Sequence, residues 1–433
     1  MKQATWFLVL AVLLLAALPL MVSCDDDDDD NNNNTPDDDA TPDDNDTNDD
    51  DTNDDDTFDD DTVDDDTSDD DTVDDDTVDD DTVDDDTVDD DTVDDDTGDD
   101  DTTDDDTGDD DVVDFEFSIK TYSHTAVVPY LPEFAERGFR LYLGAGASSI
   151  GSPNLTTVLT EAESLGIPVT LCPAPSSGSF ANEETLDVYE EDLTTALDWL
   201  DTLDTSVDTI SVNMELGPPY DAMFQEAWAN RDFALLIDLT YETLDRERFL
   251  VSTTRFQDLV SDVQARGYDV QITTFPLLLD DVNDEDTDIQ DVCNSPMVDI
   301  DWDLYAPCTY STEYAHYIGL FDTSPYFVYT YAQTIREMYG DAAMVALGLV
   351  RTGGNNGYTS PDELAADIAA AKAAGIRRIE IFKFGGMLEY PDYDFDDWAD
   401  TTLVEPAVPD PDPMIDLVRV ATNLVDFIFN FMN

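Results

Sequence analysis

The stretch "VDTISVNMELGPPY", residues 207 to 220, joins a short apolar run to a carboxylate and a sharp turn. Its β-branched and apolar residues are typical of a buried strand, and Glu215 is the last residue of that strand. Leu216, Gly217 and two prolines come next, so the chain is expected to turn there. The stretch therefore predicts a strand that carries an acid at its C-terminal end.

Runs of this kind recur eight times between residues 112 and 433, and amphipathic runs of helix length separate them. This alternation is typical of βα units around a parallel sheet. Over about 320 residues it predicts an α/β fold, a (β/α)8 TIM barrel, whose reactive groups lie at the C-terminal ends of the strands. Glu215 is then expected at the barrel mouth. The predicted strands are "FEFSIKTY" from Phe115, "FRLYLGAG" from Phe139, "IPVTLC" from Ile167, "DTISVNME" from Asp208, "DVQITTF" from Asp269, "DWDLYAP" from Asp301, "AMVALGLV" from Ala343 and "RIEIFKF" from Arg378.

One predicted helix has clear start and stop signals. The run at residues 360–375, "SPDELAADIAAAKAAG", begins with Ser360 as N-cap and Pro361 in the first helical position. Glu363 is placed to complete a capping box, and Gly375 follows the last helical residue. These signals predict a helix directly before the eighth strand.

The first part of the chain has a different composition. The protein has 107 acidic and 16 basic side chains and a formal net charge of -91. Roughly 51 of the Asp residues lie between Asp25 and Asp111, in repeats of the type DDDTV. This tract has almost no apolar side chains to bury, so residues 24–111 are predicted to form a disordered tether before a barrel domain at 112–433. The net charge excludes a general affinity for nucleic acid.

Residues 1–23 have the pattern of a secretory signal peptide, with one Lys, an apolar run and small residues at the end. The ending "MVSC" resembles a bacterial lipobox, which implies that Cys24 becomes the lipidated first residue of the mature protein. The alternative is an ordinary cleavage site followed by a chance cysteine. We therefore expect export across the inner membrane and a lipid anchor in the cell envelope, at the outer membrane or the cell surface.

Histidine and cysteine are too few for a zinc site, because no pair has ligand spacing. The chain has two His, His124 and His316, and three Cys after the lipobox, Cys172, Cys293 and Cys308. In an oxidising compartment we expect at most one disulfide among these cysteines. No metal and no cofactor is expected, and the protein is expected to be a monomer.

Catalysis by carboxyl groups is the type of chemistry that remains for the predicted barrel mouth. No G-x-S-x-G motif accompanies the two His, which disfavours a Ser/His/Asp triad. The Gly-rich run "RTGGNNG", residues 351–357, lacks the Lys-Ser/Thr of a phosphate loop but is able to hydrogen-bond a sugar. Glycoside hydrolysis uses two acids, or one acid together with the acetamido oxygen of the substrate. The seventh predicted strand ends without an acid, which disfavours enzymes that pair acids on strands four and seven.

The run "DTISVNME" resembles the fourth-strand signature D-G-x-D-x-D-x-E of the chitinase-type, family-eighteen glycoside hydrolases. Asp208 and Glu215 match in register, while Ser211 and Asn213 replace the second and third Asp. Related endo-β-N-acetylglucosaminidases use an Asn-x-Glu pair, which "NME" matches. The resemblance implies that Glu215 is the general acid/base and that Asn213 orients the acetamido group of an N-acetylhexosamine.

The same resemblance implies two aromatic contributions to the site. A Tyr at the end of strand six helps to hold the acetamide, and Tyr305 in "DLYAP" is the first choice, with Tyr310 as the second. An aromatic residue from strand eight forms the floor of the site. Phe382 or Phe384 takes that place here, where the family has Trp.

Four other residues are candidates for substrate binding. Tyr122 follows the first strand and is placed to stack on a sugar, while Arg351 and Asn355 belong to the Gly-rich run. Asp303 on strand six is a candidate second acid for a glycan of another type. In the alternative interpretation, Glu215 only forms an ion pair with a neighbouring Arg such as Arg255 or Arg351.

The sequence thus predicts a surface-tethered glycoside hydrolase-like protein that acts on N-acetylhexosamine-containing glycans, with Glu215 as its acid. The partners expected are a polysaccharide or glycan and a membrane, reached through the lipid. The alternative is a catalytically silent TIM barrel lipoprotein that binds glycans or proteins, because two family acids are missing at 211 and 213.

Overall fold

The computed structural model describes residues 114–178, 180–216, 220–230, 232–283, 287–318, 324–351 and 356–429. The predicted signal peptide, Cys24, the tether and Asn355 lie outside these residues. The described residues all belong to the predicted barrel domain.

All eight predicted strands are present in the described residues, and they form one parallel sheet. Its order is β6-β5-β4-β3-β2-β1-β8-β7. Two isolated bridges, Tyr305 to Ala343 and Cys308 to Ala346, join β6 to β7 and close the ring. The predicted (β/α)8 TIM barrel is confirmed. The strands are β1 Glu116–Thr121, β2 Arg140–Gly146, β3 Val169–Ala174, β4 Val207–Asn213, β5 Asp269–Thr274, β6 Leu304–Pro307, β7 Met344–Leu347 and β8 Arg378–Phe382.

Helices surround the sheet and connect its strands. A pair of helices follows β4 and precedes the long helix that leads to β5, so the chain after Glu215 is longer than a simple βα loop. The helices are His124–Val127, Leu131–Arg137, Pro153–Leu165, Leu186–Leu200, Tyr220–Ala229, Phe233–Thr243, Arg246–Ala265, Leu278–Asn283, Asp288–Val292, Ser311–Ile318, Pro325–Tyr339, Pro361–Ala373, Phe384–Glu389, Phe395–Ala399 and Pro413–Phe429, with short 3-10 turns at Val128–Tyr130, Ala147–Ser149, Gly340–Ala342 and Asp400–Leu403.

The helix predicted before β8 is confirmed, but its capping differs from the prediction. The helix spans Pro361–Ala373, and Ser360 makes no side-chain cap hydrogen bond. Glu363 instead accepts hydrogen bonds from the backbone N–H and the hydroxyl of Thr359, at 2.6 and 2.9 Å. The Glu363 carboxylate therefore binds one residue earlier than a capping box requires, at Thr359 and not at Ser360.

The apolar core lies between the sheet and the helices, as the alternation of the strands dictates. Ile119 of β1, Ile210 of β4, Ile272 of β5 and Ile381 of β8 are fully buried members of this core. Successive side chains of a strand point to opposite faces, so their neighbours in sequence face the inside of the barrel. The inner positions of this barrel are largely polar, and they carry the groups described in the next section.

A buried carboxyl group, Asp367, faces the end of β6 from the helix Pro361–Ala373. It accepts hydrogen bonds from the Ser311 hydroxyl at 2.5 Å and from the Tyr358 hydroxyl at 2.6 Å. Burial raises the pKa of Asp367 to about 7, although both hydroxyls favour the charged form. The folded state therefore binds this proton more tightly than the unfolded chain, in which an Asp titrates at about 4.

We expect Asp367→Asn to flatten the pH dependence of stability between pH 4 and 7. In the natural protein the free energy of unfolding should fall as pH rises through this window, by up to about 1.4 kcal/mol per pH unit for this one proton. The amide of the variant does not titrate, so this proton no longer contributes to the pH dependence of the free energy of unfolding. Urea denaturation at several pH values measures the slope, and an unchanged slope in the variant would contradict the assignment.

The three described cysteines, Cys172, Cys293 and Cys308, are buried and free. None of the described residues forms a group of three or more His, Cys, Asp or Glu arranged to hold a metal ion. No helix within the described ranges has both the length and the apolar character needed to cross a lipid bilayer.

Candidate active site at the barrel mouth

Strand β4 presents Ser211 and Asn213 to the inside of the barrel. The Ser211 hydroxyl accepts a hydrogen bond from the Tyr142 hydroxyl at 2.8 Å and lies 3.2 Å from that of Thr273. Asn213 is the register neighbour of Thr273 and lies two residues after Ser211, so it shares the inner face. This orientation agrees with the one expected from alternation along the strand.

Glu215 lies two residues beyond the end of β4, which stops at Asn213 and not at Glu215 as predicted. The chain stays beside the sheet, because the Met214 N–H donates to the Thr273 carbonyl at 2.8 Å. The side-chain amide of Asn182 donates to the Glu215 carbonyl at 3.0 Å and holds the backbone there. Glu215 is only 1% exposed, so its carboxyl group is buried at the C-terminal end of the barrel.

The Cys308 thiol and the Tyr314 phenol are two groups on which the charge of Glu215 acts. Burial raises the pKa of the Cys308 thiol, and the nearby Glu215 carboxylate raises it further. Burial likewise raises the pKa of Tyr314, with smaller contributions from Cys308, Glu313 and Glu215 among others. The thiol and the phenol are therefore neutral at neutral pH. Burial of the carboxyl group beside an uncharged thiol and phenol suits an acid that donates a proton.

Asn213 brings a second functional group to the same edge. The residue is 5% exposed, and its side-chain oxygen Oδ1 is buried without a hydrogen-bond partner in the described part of the chain. A buried acceptor left without a donor costs about 1–3 kcal/mol. A ligand that brings an N–H group to this position would remove that cost.

Three aromatic rings lie together at the mouth, and two glycines make room for them. The Tyr310 ring stacks on that of Phe382 with centroids 5.8 Å apart, and Tyr122 meets Phe382 edge-on at 6.2 Å. A Cβ at Gly144 would lie 2.1 Å from the Tyr122 ring, and one at Gly348 would lie 3.0 Å from the Tyr310 ring. We call Tyr122, Tyr310 and Phe382 the aromatic floor, since flat rings at a mouth are able to stack on sugars.

A chain of polar side chains, the interior network, crosses the barrel beneath these rings. The amide nitrogen of Gln271 donates to Thr273 Oγ1 and to Glu380 Oε2, both at 3.1 Å. Lys120 Nζ lies 3.8 Å from Glu380 Oε1. The network comprises Lys120, Tyr142, Ser211, Gln271, Thr273 and Glu380, all of them buried.

Lys120 is held as an ammonium ion inside the barrel. Its Nζ lies over the rings of Tyr142, Phe382 and Tyr122, at 4.6, 5.3 and 5.8 Å from their centroids. Burial lowers the pKa of Lys120, but the oxygens of Tyr122, Tyr142 and Glu380 outweigh burial and leave it well above its ordinary value. Burial raises the pKa of Glu380, while Lys120 and Gln271 act in the opposite direction.

Tyr305 is not at the mouth. Its ring stacks on that of Tyr339 with centroids 3.6 Å apart, and its hydroxyl donates to the Ile300 carbonyl at 3.4 Å. Tyr305 is the register neighbour of Ile272, so both side chains face the helices. This position excludes the predicted contact of Tyr305 with an acetamido group, whereas Tyr310, the second choice, lies in the aromatic floor.

Asp303 is also at the wrong end of the barrel for the role considered above. It precedes β6, and its carboxylate accepts hydrogen bonds from the Val270 N–H at 2.8 Å and the Gln264 amide at 3.0 Å. The N-terminal ends of parallel strands lie opposite the mouth. Asp303 therefore cannot serve as the second acid beside Glu215.

Phe384 belongs to the helix layer and not to the floor of the site. It begins the helix Phe384–Glu389 and packs against Tyr130, Phe134 and Phe395, with centroids 5.2 to 6.1 Å away. Alternation along β8 turns Phe382 inward, and the chain leaves the sheet before Phe384. Of the two residues considered in the sequence, only Phe382 lies at the mouth.

The Gly-rich run after β7 is described only in part. Arg351 is half-buried, and its carbonyl accepts a hydrogen bond from the Tyr390 hydroxyl at 2.6 Å. Asn355 lies outside the described residues. A role of either side chain in binding a glycan stays a prediction.

Three of the buried charged residues that sequence reasoning missed lie on β1, on β8 and directly after β6. Lys120 in "FEFSIKTY" and Glu380 in "RIEIFKF" occupy alternate positions of apolar strands, and that alternation is a signal of an inward charge. Glu313 is fully buried in the first turn of the helix Ser311–Ile318, directly after β6. Its neighbours in sequence are polar, so no pattern marked it.

No family model and no curated protein matches the chain. Solved structures similar to it include the PgaB (BpsB) glycoside hydrolase domain from Bordetella bronchiseptica, with 9% identity over 68% of this chain and 99% of that chain and a TM-score of 0.41. They also include an endo-beta-1,4-mannanase from Thermotoga petrophila, with 10% identity over 72% of this chain and 77% of that chain and a TM-score of 0.39.

A sugar phosphate isomerase/epimerase from Parabacteroides distasonis is similar to the same degree, with 11% identity over 67% of this chain and 92% of that chain and a TM-score of 0.39. Glycoside hydrolases are thus among the structures that match, together with a barrel of another activity. Similarity at this level carries no argument about the reaction, which has to come from the site itself.

Proposed function

We propose that this protein is a glycoside hydrolase acting on N-acetylhexosamine-containing glycans, with Glu215 as general acid/base. The observation that carries the proposal is the buried carboxyl group of Glu215 beyond the end of β4, together with the unpartnered Oδ1 of Asn213 on the inner face of the same edge. An acetamido N–H group is a suitable donor for that oxygen. Within the aromatic floor, Tyr122 is the partly exposed ring on which a pyranose ring would stack.

In this mechanism Glu215 donates a proton to the glycosidic oxygen while the acetamido oxygen of the substrate attacks the anomeric carbon. The bond to the leaving sugar breaks, and a cyclic oxazolinium ion forms. Water then opens that ion as Glu215 takes a proton back. Asn213 Oδ1 accepts the acetamido N–H and so turns the nucleophilic oxygen towards the anomeric carbon.

Replacing Asn213 tests this assignment. We expect Asn213→Ala to lower kcat for chitooligosaccharide hydrolysis about 100-fold, because the acetamido group loses the acceptor that orients it. Asn213→Asp keeps that acceptor and adds a negative charge beside the oxazolinium ion, so its kcat should equal or exceed that of the natural protein. An alanine variant with undiminished kcat would rule out the proposed orientation of the acetamide.

A silent glycan-binding barrel is the second candidate, and one observation favours it. Ser211 stands where the family signature has an acid, and its hydroxyl is occupied by Tyr142 and Thr273 in the interior network. Binding of chitooligosaccharides without any turnover, measured by calorimetry and product analysis, would favour this candidate over hydrolysis.

The predicted location belongs to the same proposal. An Asp-rich tether that begins at a lipidated Cys24 would hold the barrel away from the membrane and within reach of envelope or external glycans. Like charges in such a tether would repel one another and favour an extended chain.

A further inference from the structure

The ion pair inside the barrel has no part in the reaction as described above. Lys120 enters from β1 and Glu380 from β8, and both are almost completely buried, at 1% and 0% exposure. Their closest charged atoms, Nζ and Oε1, are 3.8 Å apart. That distance is longer than a hydrogen bond between an ammonium and a carboxylate.

One of these two atoms, the carboxylate oxygen Oε1 of Glu380, is left without a hydrogen bond among the described residues. In the described part of the chain Glu380 Oε1 has no partner, whereas Oε2 accepts from Gln271. Lys120 Nζ lies over aromatic faces and 3.8 Å from Oε1. An ammonium has three protons to donate, and Oε1 is able to accept one, so the pair retains hydrogen-bonding capacity for a further group.

The chemistry of that group follows from its two neighbours. It has to accept from the ammonium and donate to the carboxylate, and a hydroxyl group does both at once. An oxygen about 2.8 Å from each of two atoms 3.8 Å apart makes two hydrogen bonds of ordinary length. A carboxylate or phosphate ligand fails this requirement, since it has no proton to give Glu380.

The pair lies next to the mouth and not at the far end of the barrel. Lys120 is the register neighbour of Phe382, and its Nζ lies 5.3 Å from the centre of that ring. Tyr122, whose ring is 5.8 Å from Nζ, is only partly buried. Cys308 connects this region with Glu215, because Glu215, Lys120 and Glu380 all act on the pKa of its thiol.

We propose that Lys120 and Glu380 form a polar subsite of the glycan-binding mouth, in which one sugar hydroxyl lies between Nζ and Oε1. The proposal rests on the proposed function and makes both residues determinants of sugar specificity. A sugar beside the partly exposed Tyr122 ring would have to direct an edge hydroxyl inward, past that ring, to the pair. A bound water has the same hydrogen-bonding chemistry, and the experiment below separates the two sources.

The test compares the full chain with the double variant Lys120→Met/Glu380→Gln, which removes both charges and leaves neither buried alone. Steady-state hydrolysis is measured on a chitooligosaccharide and on analogues that lack single hydroxyls at C3, C4 or C6. We expect the double variant to raise KM for the parent glycan about tenfold, with kcat changed less than threefold. One deoxy analogue should have the same KM with both proteins, because it lacks the hydroxyl that the pair binds.

Lys372→Met is the matched control. Lys372 is also a buried lysine over aromatic rings, but its Nζ donates to the carbonyls of Thr402 and Val404, away from the mouth. Its replacement should lower the melting temperature and leave KM unchanged. If the KM increase came from a general loss of packing, KM would instead rise in the Lys372→Met variant as well.

The outcomes separate this inference from the proposed function. An unchanged KM in the folded double variant, or a KM increase that persists with every deoxy analogue, overturns the subsite and indicates a structural pair with a trapped water. Turnover that depends on Glu215 would leave the proposed function standing in that case. A natural protein that neither binds nor cleaves the glycan overturns both.

Discussion

The Glu215→Gln variant is expected to lose hydrolysis of chitooligosaccharides by a factor of about 1,000 in kcat, within the range that a positioned acid/base contributes. Gln has the shape of Glu but no proton of suitable acidity to give the leaving oxygen. The Asn182 contact to the backbone of residue 215 should persist, so the fold should be retained. Initial rates on a defined oligosaccharide, with circular dichroism to verify folding, measure the effect.

Asp303→Asn is the matched carboxyl-to-amide control. Its carboxylate lies at the opposite end of the barrel and binds Val270 and Gln264, and an amide oxygen is able to accept the same hydrogen bonds. The kcat of this variant should equal that of the natural protein. Equal activity of the Glu215→Gln variant and the natural protein would refute the mechanism, whatever the control shows.

The second large effect concerns stability. Lys120→Met should lower the free energy of unfolding by about 3–5 kcal/mol, because it leaves the Glu380 carboxyl group without its cation in the barrel interior. Glu380 then has to take up a proton or remain charged at high cost. Urea denaturation at neutral pH measures the loss, which should shrink at lower pH as Glu380 is protonated.

The double variant Lys120→Met/Glu380→Gln supplies the comparison for this prediction. Removing both charges of a buried pair is often neutral or stabilising, so the double variant should recover most of the lost stability. A double-mutant cycle then gives the coupling between the two side chains. If the single and double variants are equally unstable, the loss comes from packing, and the charge argument fails.

The eight strands and their order could be predicted because alternation and length are local properties of the chain. Each strand of the sheet begins within about three residues of its predicted start. The inward orientation of Asn213 followed from the same rule of alternation. These features depend on near neighbours in sequence, which is the information a single chain provides.

The predictions that were wrong share one cause, which is that the ends of a strand depend on the tertiary structure around it. Tyr305 and Asp303 were considered for the mouth on the strength of "DWDLYAP", but β6 begins only at Leu304 and its short span leaves both near the other end. Phe384 follows β8 by two residues, yet the chain turns into a helix there and carries the ring outward. The precise start, end and exit of a strand depend on what the neighbouring strands and helices leave open.

The sequence by itself determined the barrel, the acid after its fourth strand and the amide two residues before that acid, because these follow from periodicity and spacing. Only the tertiary structure decided which side chains meet inside: Lys120 with Glu380, Tyr142 with Ser211, and Tyr310 with Phe382. Partners from strands that are 69 or more residues apart in the chain become neighbours through the closure and register of the ring. No local pattern encodes that register.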